Sequence, residues 1–335
     1  MSELHEKYAR LLGDLRAMGS AAVAFSAGVD STFLLKAAHE ALGDRAFAIT
    51  VRSVFCPDRE GDEAAAFCAG EGIRHIVETV DVLAVPGVRD NPPDRCYLCK
   101  KALFTRLFDI ARQNGAEHLL EGSNTDDLGD YRPGMRAVEE LGVESPLRGA
   151  ELSKSEIRAL SRELGLPTWD KPSYACLASR IAYGEELTAR KLTMVDEAEE
   201  YLRSLGLRQL RVRVHGSDAR IEVEPEAMSL IAAPDTARAV NERLRSLGFS
   251  RVTLDLAGYR TGSMNDALIG NRSRCSAAAY SKPPKEDRLP SGAFFLCAGN
   301  QLFFFSSSPY SSSACMEMRI YSRLAGESRS SPSIS

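Results

Sequence analysis

Along the first half of the chain the hydrophobic positions fall into two alternating patterns. Short apolar, strand-like runs occur at 21–25, 47–54, 74–80 and 118–122. Between them lie stretches with helical spacing at 32–42, 59–71 and 100–114. This rhythm predicts an α/β fold, a parallel sheet with helices on both faces, because parallel strands need crossover connections that helices readily supply. A further helix is expected over 153–165. Ser153 followed three positions later by Glu156 fits a capping box, and Gly165 fits the stop.

The segment 167–184 is rich in proline and small polar residues and reads as a linker. Beyond it the pattern predicts a helix over 188–205, strands over 210–215 and 220–224, a helix over 234–247 with Pro234 tolerated at its start, and a strand over 252–256. A smaller α+β domain is therefore expected over 185–270, following a first domain over 1–184 that carries the cysteine-containing linker. From Cys275 onward, Ser-rich runs and the apolar clump at 303–305 show neither period. Residues 271–335 are expected to form an atypical, disordered tail without an assigned function.

Composition narrows the classes. With 335 residues and 44% apolar content, the chain can bury two cores. A net charge of -4 argues against a globally basic nucleic-acid binder, although a local basic groove stays open. The first residues carry charges throughout and lack a secretory apolar core, and no run approaches the roughly 18 apolar residues of a membrane span. The expected location is cytoplasmic. There a close cysteine pair suggests metal or redox chemistry before a structural disulfide. Cys96 and Cys99 form such a pair, and Cys176 lies in a distant loop. Cys56 and Cys68 read as ordinary cysteines, and His75, His118 and His215 lack a ligand pattern.

Ser26-Ala27-Gly28-Val29-Asp30-Ser31-Thr32 stands between a strand and a helix. Small residues let the backbone approach a ligand, hydroxyls add donors, and the first amides of the helix favour a phosphate. Asp30 suits magnesium or the loop itself better than bare phosphate. The alternative is a tight turn capped by Ser31. The segment is neither the Walker loop nor the dinucleotide pattern of spaced glycines. Asp127 and Asp130, in an acidic run, suit magnesium or an exposed loop. Arg211 and Arg213 alternate along one strand and should share a face. With Arg260 they suit the phosphate of a small nucleotide. Glu199 and Glu222 are weaker candidates for a nearby metal. Three cysteines cannot close a four-cysteine site, but they suit a [4Fe-4S] cluster with one open iron. A redox pair, structural zinc or plain helix-start cysteines remain open alternatives.

Ser26 to Ser31 resembles the Ser-Gly-Gly-x-Asp-Ser loop of the PP-loop ATP pyrophosphatases, which cleave ATP between its α and β phosphates. Ala27 replaces the commoner glycine, and a left-handed backbone there would be strained. Over about residues 8–270 the match widens. It takes in Glu121-Gly122-Ser123-Asn124, Asp127, Asp130-Tyr131-Arg132-Pro133-Gly134, Trp169 and Lys171 to Arg180. Together these segments look like the LarE family of sulfur transferases. The resemblance implies ATP and magnesium at the loop, with Asp30 and Cys176 taking part in catalysis. Some members sacrifice the sulfur of the single cysteine matching Cys176. Others resemble this chain in having two more, Cys96 and Cys99, and use an iron–sulfur cluster. The implied substrate is pyridinium-3,5-biscarboxylic acid mononucleotide, a precursor of the nickel-pincer cofactor, with Arg211, Arg213 and Arg260 in the family's phosphate region. A homo-oligomer is also implied. tRNA thiolation, ATP-dependent amidation and a non-catalytic iron–sulfur assembly role are the competing readings.

Overall fold

The computed structural model describes residues 2–129, 133–172 and 175–260, together with the backbone of 294–298, 301–306 and 317–321. After α1 (Glu3–Ala17), the chain runs through β1 (Ala21–Ala24), α2 (Val29–Leu42), β2 (Ala46–Arg52), α3 (Asp58–Glu71) and β3 (His75–Thr79). It continues through α4 (Arg95–Gln113), β4 (His118–Leu120), α5 (Pro133–Glu140), α6 (Pro146–Gly149) and α7 (Lys154–Glu163). The four strands form one all-parallel sheet in the order β3-β2-β1-β4.

Strand alternation divides the core into two layers. Ala21, Val23, Ala46, Ala48 and Leu120 pack with Leu11 and Leu15 of α1, Phe33 and Leu34 of α2, and Ile157 and Leu160 of α7. The intervening Ala22, Phe47, Ile49 and Leu119 pack with Phe104, Leu107 and Ile110 of α4 and Val138 of α5. Both faces of the sheet are thus covered, as the strand–helix rhythm predicts. The α7 capping box is present, with Ser153 Oγ accepting from Glu156 N and the Glu156 carboxylate accepting from Ser153 N.

A second sheet is built from β5 (Leu210–His215), β6 (Asp218–Val223) and β7 (Arg251–Leu254), which α8 (Ala189–Ser204), α9 (Met228–Ala232) and α10 (Pro234–Leu247) accompany. β5 and β6 are antiparallel, and β6 and β7 parallel. β6 begins two residues before its expected start because His215 pairs with Asp218 across a two-residue turn. Gly216 there takes φ 60°, which suits a tight hairpin. Leu192, Val195 and Leu202 of α8, Val212, Ile221 and Leu244 share a core with Phe55, Val88, Leu177 and Ala178. The loops carrying Cys56 and Cys176 are therefore anchored in the second sheet's core.

A separate unit over Ala267–Ser335 contains a three-stranded antiparallel sheet of β8 (Phe294–Ala298), β9 (Gln301–Ser306) and β10 (Glu317–Tyr321), with β9 central. Among the described residues no helix is long and apolar enough to cross a membrane.

Candidate active site

The first part of the site grows from the end of β1. Phe25 N still donates to Ile49 O at 2.9 Å, and then the chain leaves the sheet. Ala27 turns with φ 52°, the left-handed conformation in which the alanine methyl is strained. Gly28 caps α2 through its backbone alone. Ser31 is not the cap. Its Oγ accepts from Ser26 N at 3.3 Å and lies 3.0 Å from Ser26 Oγ, bracing the turn from inside. The first amides of α2 have no intrahelical acceptor and carry the positive end of its dipole. Thr32 Oγ1 is buried with no hydrogen-bond partner among the described residues, and Thr32 lines an open cavity of about 640 Å³. Ala27, Glu63, Lys171, Arg203 and Arg208 line the same cavity. Lys171 Nζ donates to Ala27 O at 2.9 Å and pairs with Glu63.

Carboxylates gather on the other side of the turn. Asp30 accepts from Asn124 Nδ2 at 3.3 Å and pairs with Lys154 at the start of α7. Asn124 N donates to Asp127 at 3.0 Å, so Asp30 and Asp127 flank one asparagine. Gly122 permits this approach: a Cβ there would lie 3.1 Å from Ser31 N and 3.3 Å from Asp30 Cβ. Asp130 and Arg132, singled out in the sequence, lie outside the described residues.

The thiols form the second part. α4 begins at Arg95, five residues before the expected start, because the chain after Pro92-Pro93 turns at Asp94, whose carbonyl accepts from Tyr97 N at 2.8 Å. Cys96 and Cys99 therefore sit one turn apart on one helix face. Arg95, 2% exposed, donates to Cys96 Sγ at 3.6 Å and to Ala178 O at 3.1 Å. It ties the helix start to the short turn Leu177–Arg180 that follows Cys176. From the other side, Leu177 N donates to Phe55 O at 2.9 Å and brings in Cys56.

Burial first, then Cys176, Cys96 and Cys56, push the Cys99 thiol up to about 12 against the opposing Arg95 charge. Burial likewise raises Cys56 to about 12, with Cys176 as the next contributor. Cys176 is raised by burial, opposed by the Arg95 charge and reinforced by Cys96. Cys56 and Cys176 are exposed as residues, although desolvation is the first cause of the rise of each thiol. Cys68, in contrast, is buried in the aliphatic core. Among the described residues no three His, Cys, Asp or Glu side chains stand close enough to chelate a single ion.

The third part is a set of buried arginines. Arg211 and Arg213 are both buried on β5. Arg213 pairs with Glu222 at 3.0 Å and donates to Ser179 O at 2.8 Å, beside the Cys176 turn. Arg220 pairs with Glu222 at 3.1 Å. Arg211 donates to Leu210 O at 2.7 Å and lies 5.0 Å from the Tyr259 ring. Burial, then the Arg180 charge, lowers the pKa of Arg211. Arg260 is exposed at the end of the same segment. Glu199, fully buried, accepts from Arg180 Nε at 2.8 Å, Arg203 Nη2 at 2.8 Å and Val212 N at 3.1 Å. Arg180 also donates to Ala175 O at 2.8 Å and Cys176 O at 3.3 Å. Glu199 and Glu222 are thus engaged as the anions of arginine networks, and one of these networks holds the Cys176 backbone.

This arrangement has close relatives. An uncharacterized protein of Synechocystis sp. is 43% identical over 248 residues, covering 74% of this chain and 92% of that protein. The pyridinium-3,5-bisthiocarboxylic acid mononucleotide synthase of Lactiplantibacillus plantarum is 42% identical over 271 residues, covering 80% of this chain and 97% of the synthase. The chain belongs to the LarE family. A subunit of the glutamine-hydrolyzing GMP synthase of Pyrococcus furiosus is more distant, 28% identical over 278 residues, 73% of this chain and 86% of that subunit. The parallel sheet and its helices are accordingly those of the α/β PP-loop ATP pyrophosphatase fold. No protein-family model matches the chain.

Against this LarE-family background, three side chains that the sequence did not single out stand beside the candidates. Lys154 pairs with Asp30, Arg95 reaches Cys96, and the loop carrying Cys56 accepts a hydrogen bond from the residue after Cys176. One cue to Cys56 was available in the sequence. It follows the carboxyl end of β2, and ligands of open α/β sheets gather outside the carboxyl ends of the strands.

Proposed function

We propose that this chain is an ATP-dependent sulfur transferase that adenylates the carboxylates of pyridinium-3,5-biscarboxylic acid mononucleotide and converts them to thiocarboxylates for a nickel-pincer cofactor. The observation that carries the reading is one connected site. Lys171 reaches the carbonyl of Ala27 in the anion-binding turn, and a few residues on, Arg95 joins the turn after Cys176, through Ala178 O, to Cys96 Sγ. The substrate follows from the L. plantarum relative, whose name gives the bisthiocarboxylic acid mononucleotide as its product.

A carboxylate oxygen is too poor a leaving group for direct exchange with sulfur. Attack of that oxygen on the α-phosphorus of ATP releases pyrophosphate and makes AMP the leaving group. The opening amides of α2 receive the developing phosphate charge, and the braced Ser26–Ser31 turn keeps them aimed. Magnesium, which Asp30 and Asp127 would hold, supplies charge neutralisation on the phosphates; two carboxylates flanking Asn124 fit such an ion. Arg211, Arg213 and Arg260 would take the phosphate of the mononucleotide. Arg180 fixes the backbone of Cys176 while the sulfur side of the site receives the acyl-adenylate.

A [4Fe-4S] cluster, which Cys96, Cys99 and Cys176 would hold, supplies sulfide as the nucleophile when bound. The chemistry of the donor set, soft thiols with the Arg95 guanidinium beside Cys96, suits iron. Without a cluster, Cys176 would supply its own sulfur. Reduced thiols of this kind suit the cytoplasm, and a homo-oligomer is the form we expect.

Anaerobic incubation with ATP, magnesium, sulfide and the biscarboxylic mononucleotide, followed by mass analysis, tests the reading. The expected products are AMP and the thiocarboxylate with Cys176 intact. Loss of one sulfur per chain, with Cys176 converted to dehydroalanine, would assign the sacrificial route. ATP binding without AMP, or thiolation of tRNA instead, would contradict the proposal.

A further inference from the structure

The side chain of Arg203 belongs to two places at once. It lines the open cavity at the Ser26–Ser31 turn together with Ala27, Thr32 and Lys171. It also stands between two carboxylates of its own helix that differ in burial. Arg203 Nη2 lies 2.8 Å from Glu199, which is fully buried, and Nη1 lies 3.4 Å from Glu200, whose side chain is 61% exposed. Breaking a pair with a buried carboxylate leaves an uncompensated charge, whereas a long pair at the surface is worth little. Glu200 also pairs with Arg59 of α3 at 2.5 Å, so it keeps a cation when Arg203 leaves it. The fixed side of the guanidinium leads to the cysteine turn. Glu199 accepts from Arg180 Nε at 2.8 Å and Nη2 at 3.1 Å, and Arg180 Nη1 donates to Ala175 O and Cys176 O. Glu199 also accepts from Val212 N of β5 at 3.1 Å. One unbroken line of charge-assisted hydrogen bonds therefore runs from the cavity wall to the Cys176 backbone.

We propose that Arg203 is a positioning residue that exchanges Glu200 for a phosphate of ATP in the cavity and, still bound to Glu199, fixes the Cys176 turn. The proposal rests on the ATP reading given above. A planar guanidinium suits this double engagement, because one edge can take a phosphate oxygen while another keeps the carboxylate. An ammonium is a point charge and lacks the fork. With both ends bound, Arg203 loses its freedom, and Arg180 loses freedom with it through the carboxylate they share. Ordering of this kind couples two sites without a change of shape. The turn that carries Cys176 is thus held most firmly when the nucleotide is in place.

The test uses full-length wild type, Arg203→Lys and Arg203→Met with magnesium and α,β-methylene ATP, which cannot be cleaved between its α and β phosphates. Circular dichroism checks that each variant is folded, and calorimetric titration gives the affinity for the analogue. Hydrogen–deuterium exchange then follows the peptide that contains Val212, whose amide bonds to Glu199 on the far side of the network. Exchange is read as the ratio without and with saturating analogue, so that a loss of stability common to both states cancels. In wild type the analogue is expected to slow this exchange about threefold or more. Arg203→Lys keeps the charge and should bind within about threefold of wild type, yet its exchange ratio should fall to about one. Arg203→Met should bind about tenfold more weakly and show the same loss of the ratio. A wild-type ratio near one at saturation, or a ratio unchanged in both variants, would overturn the role of Arg203 alone. Failure of wild type to bind the analogue would overturn the ATP reading together with it.

Discussion

At Ala27 the backbone takes φ 52°, where a methyl group costs roughly 1–2 kcal/mol, yet the residue is buried against the core. The strained turn is held by neighbours: Lys171 on its carbonyl and the paired hydroxyls of Ser26 and Ser31. Gly122 does the complementary work by having no side chain. A methyl there would meet Ser31 N at 3.1 Å, and because the obstacle is backbone, the turn itself must move. We expect Gly122→Ala to raise the Kd for ATP about tenfold, roughly 1.4 kcal/mol, with little change in secondary structure. Calorimetric titration would check this, and unchanged affinity would show that the turn does not bind phosphate. Neither the strain nor the close approach can be inferred from spacing alone. The sequence shows a small residue at each position but not which backbone atoms it faces.

Among the elements, α7 shows how local signals set an end of the site. Its capping box holds the first turn, and Lys154 in that turn pairs with Asp30. Glu156 also pairs with Lys7 of α1 at 2.8 Å. That bond is the first cause of its pKa falling below 4.5, with the Ser153 backbone and hydroxyl assisting against desolvation. A depressed carboxyl stabilises the fold above its unfolded value and loses that contribution as pH falls through its folded one. Glu156→Gln should therefore lower Tm at neutral pH, and the gap to wild type should narrow below about pH 4.5. Melting curves across that range give the answer, and a constant gap would contradict it. Ser153→Ala should cost about 1 kcal/mol in denaturant unfolding. This capping box was legible in the sequence because it is local. The start of α4 was not, since two prolines obscured a helix that begins right after Asp94 and carries both Cys96 and Cys99.

On the scale of the whole molecule, the buried charges around Glu199 tie the Cys176 turn to the second sheet. Burial alone would raise the Glu199 carboxyl, but the Arg180 and Arg203 charges and the Val212 amide hold it lowered and ionised. Removing the anion leaves buried guanidinium groups uncompensated, so Glu199→Ala should cost about 3–5 kcal/mol. Denaturant titration measures that loss, and a cost near zero would show the network to be solvated. Strand alternation and the strand–helix rhythm made the parallel sheet legible, and the loop at Ser26 was legible as a motif. The approach of the loops carrying Cys56 and Cys176 to the start of α4 was only partly so, because it depends on hydrogen bonds between segments distant in sequence. The central claim is that carboxylate activation and sulfur delivery are separate tasks of one site. Exchange of radiolabelled pyrophosphate into ATP, measured with the biscarboxylic mononucleotide present, tests it most directly. Cys176→Ser should keep substrate-dependent exchange while making no thiocarboxylate, and Asp30→Asn should lose both. Exchange that needs no carboxylate substrate, or that disappears with Cys176, would contradict the account.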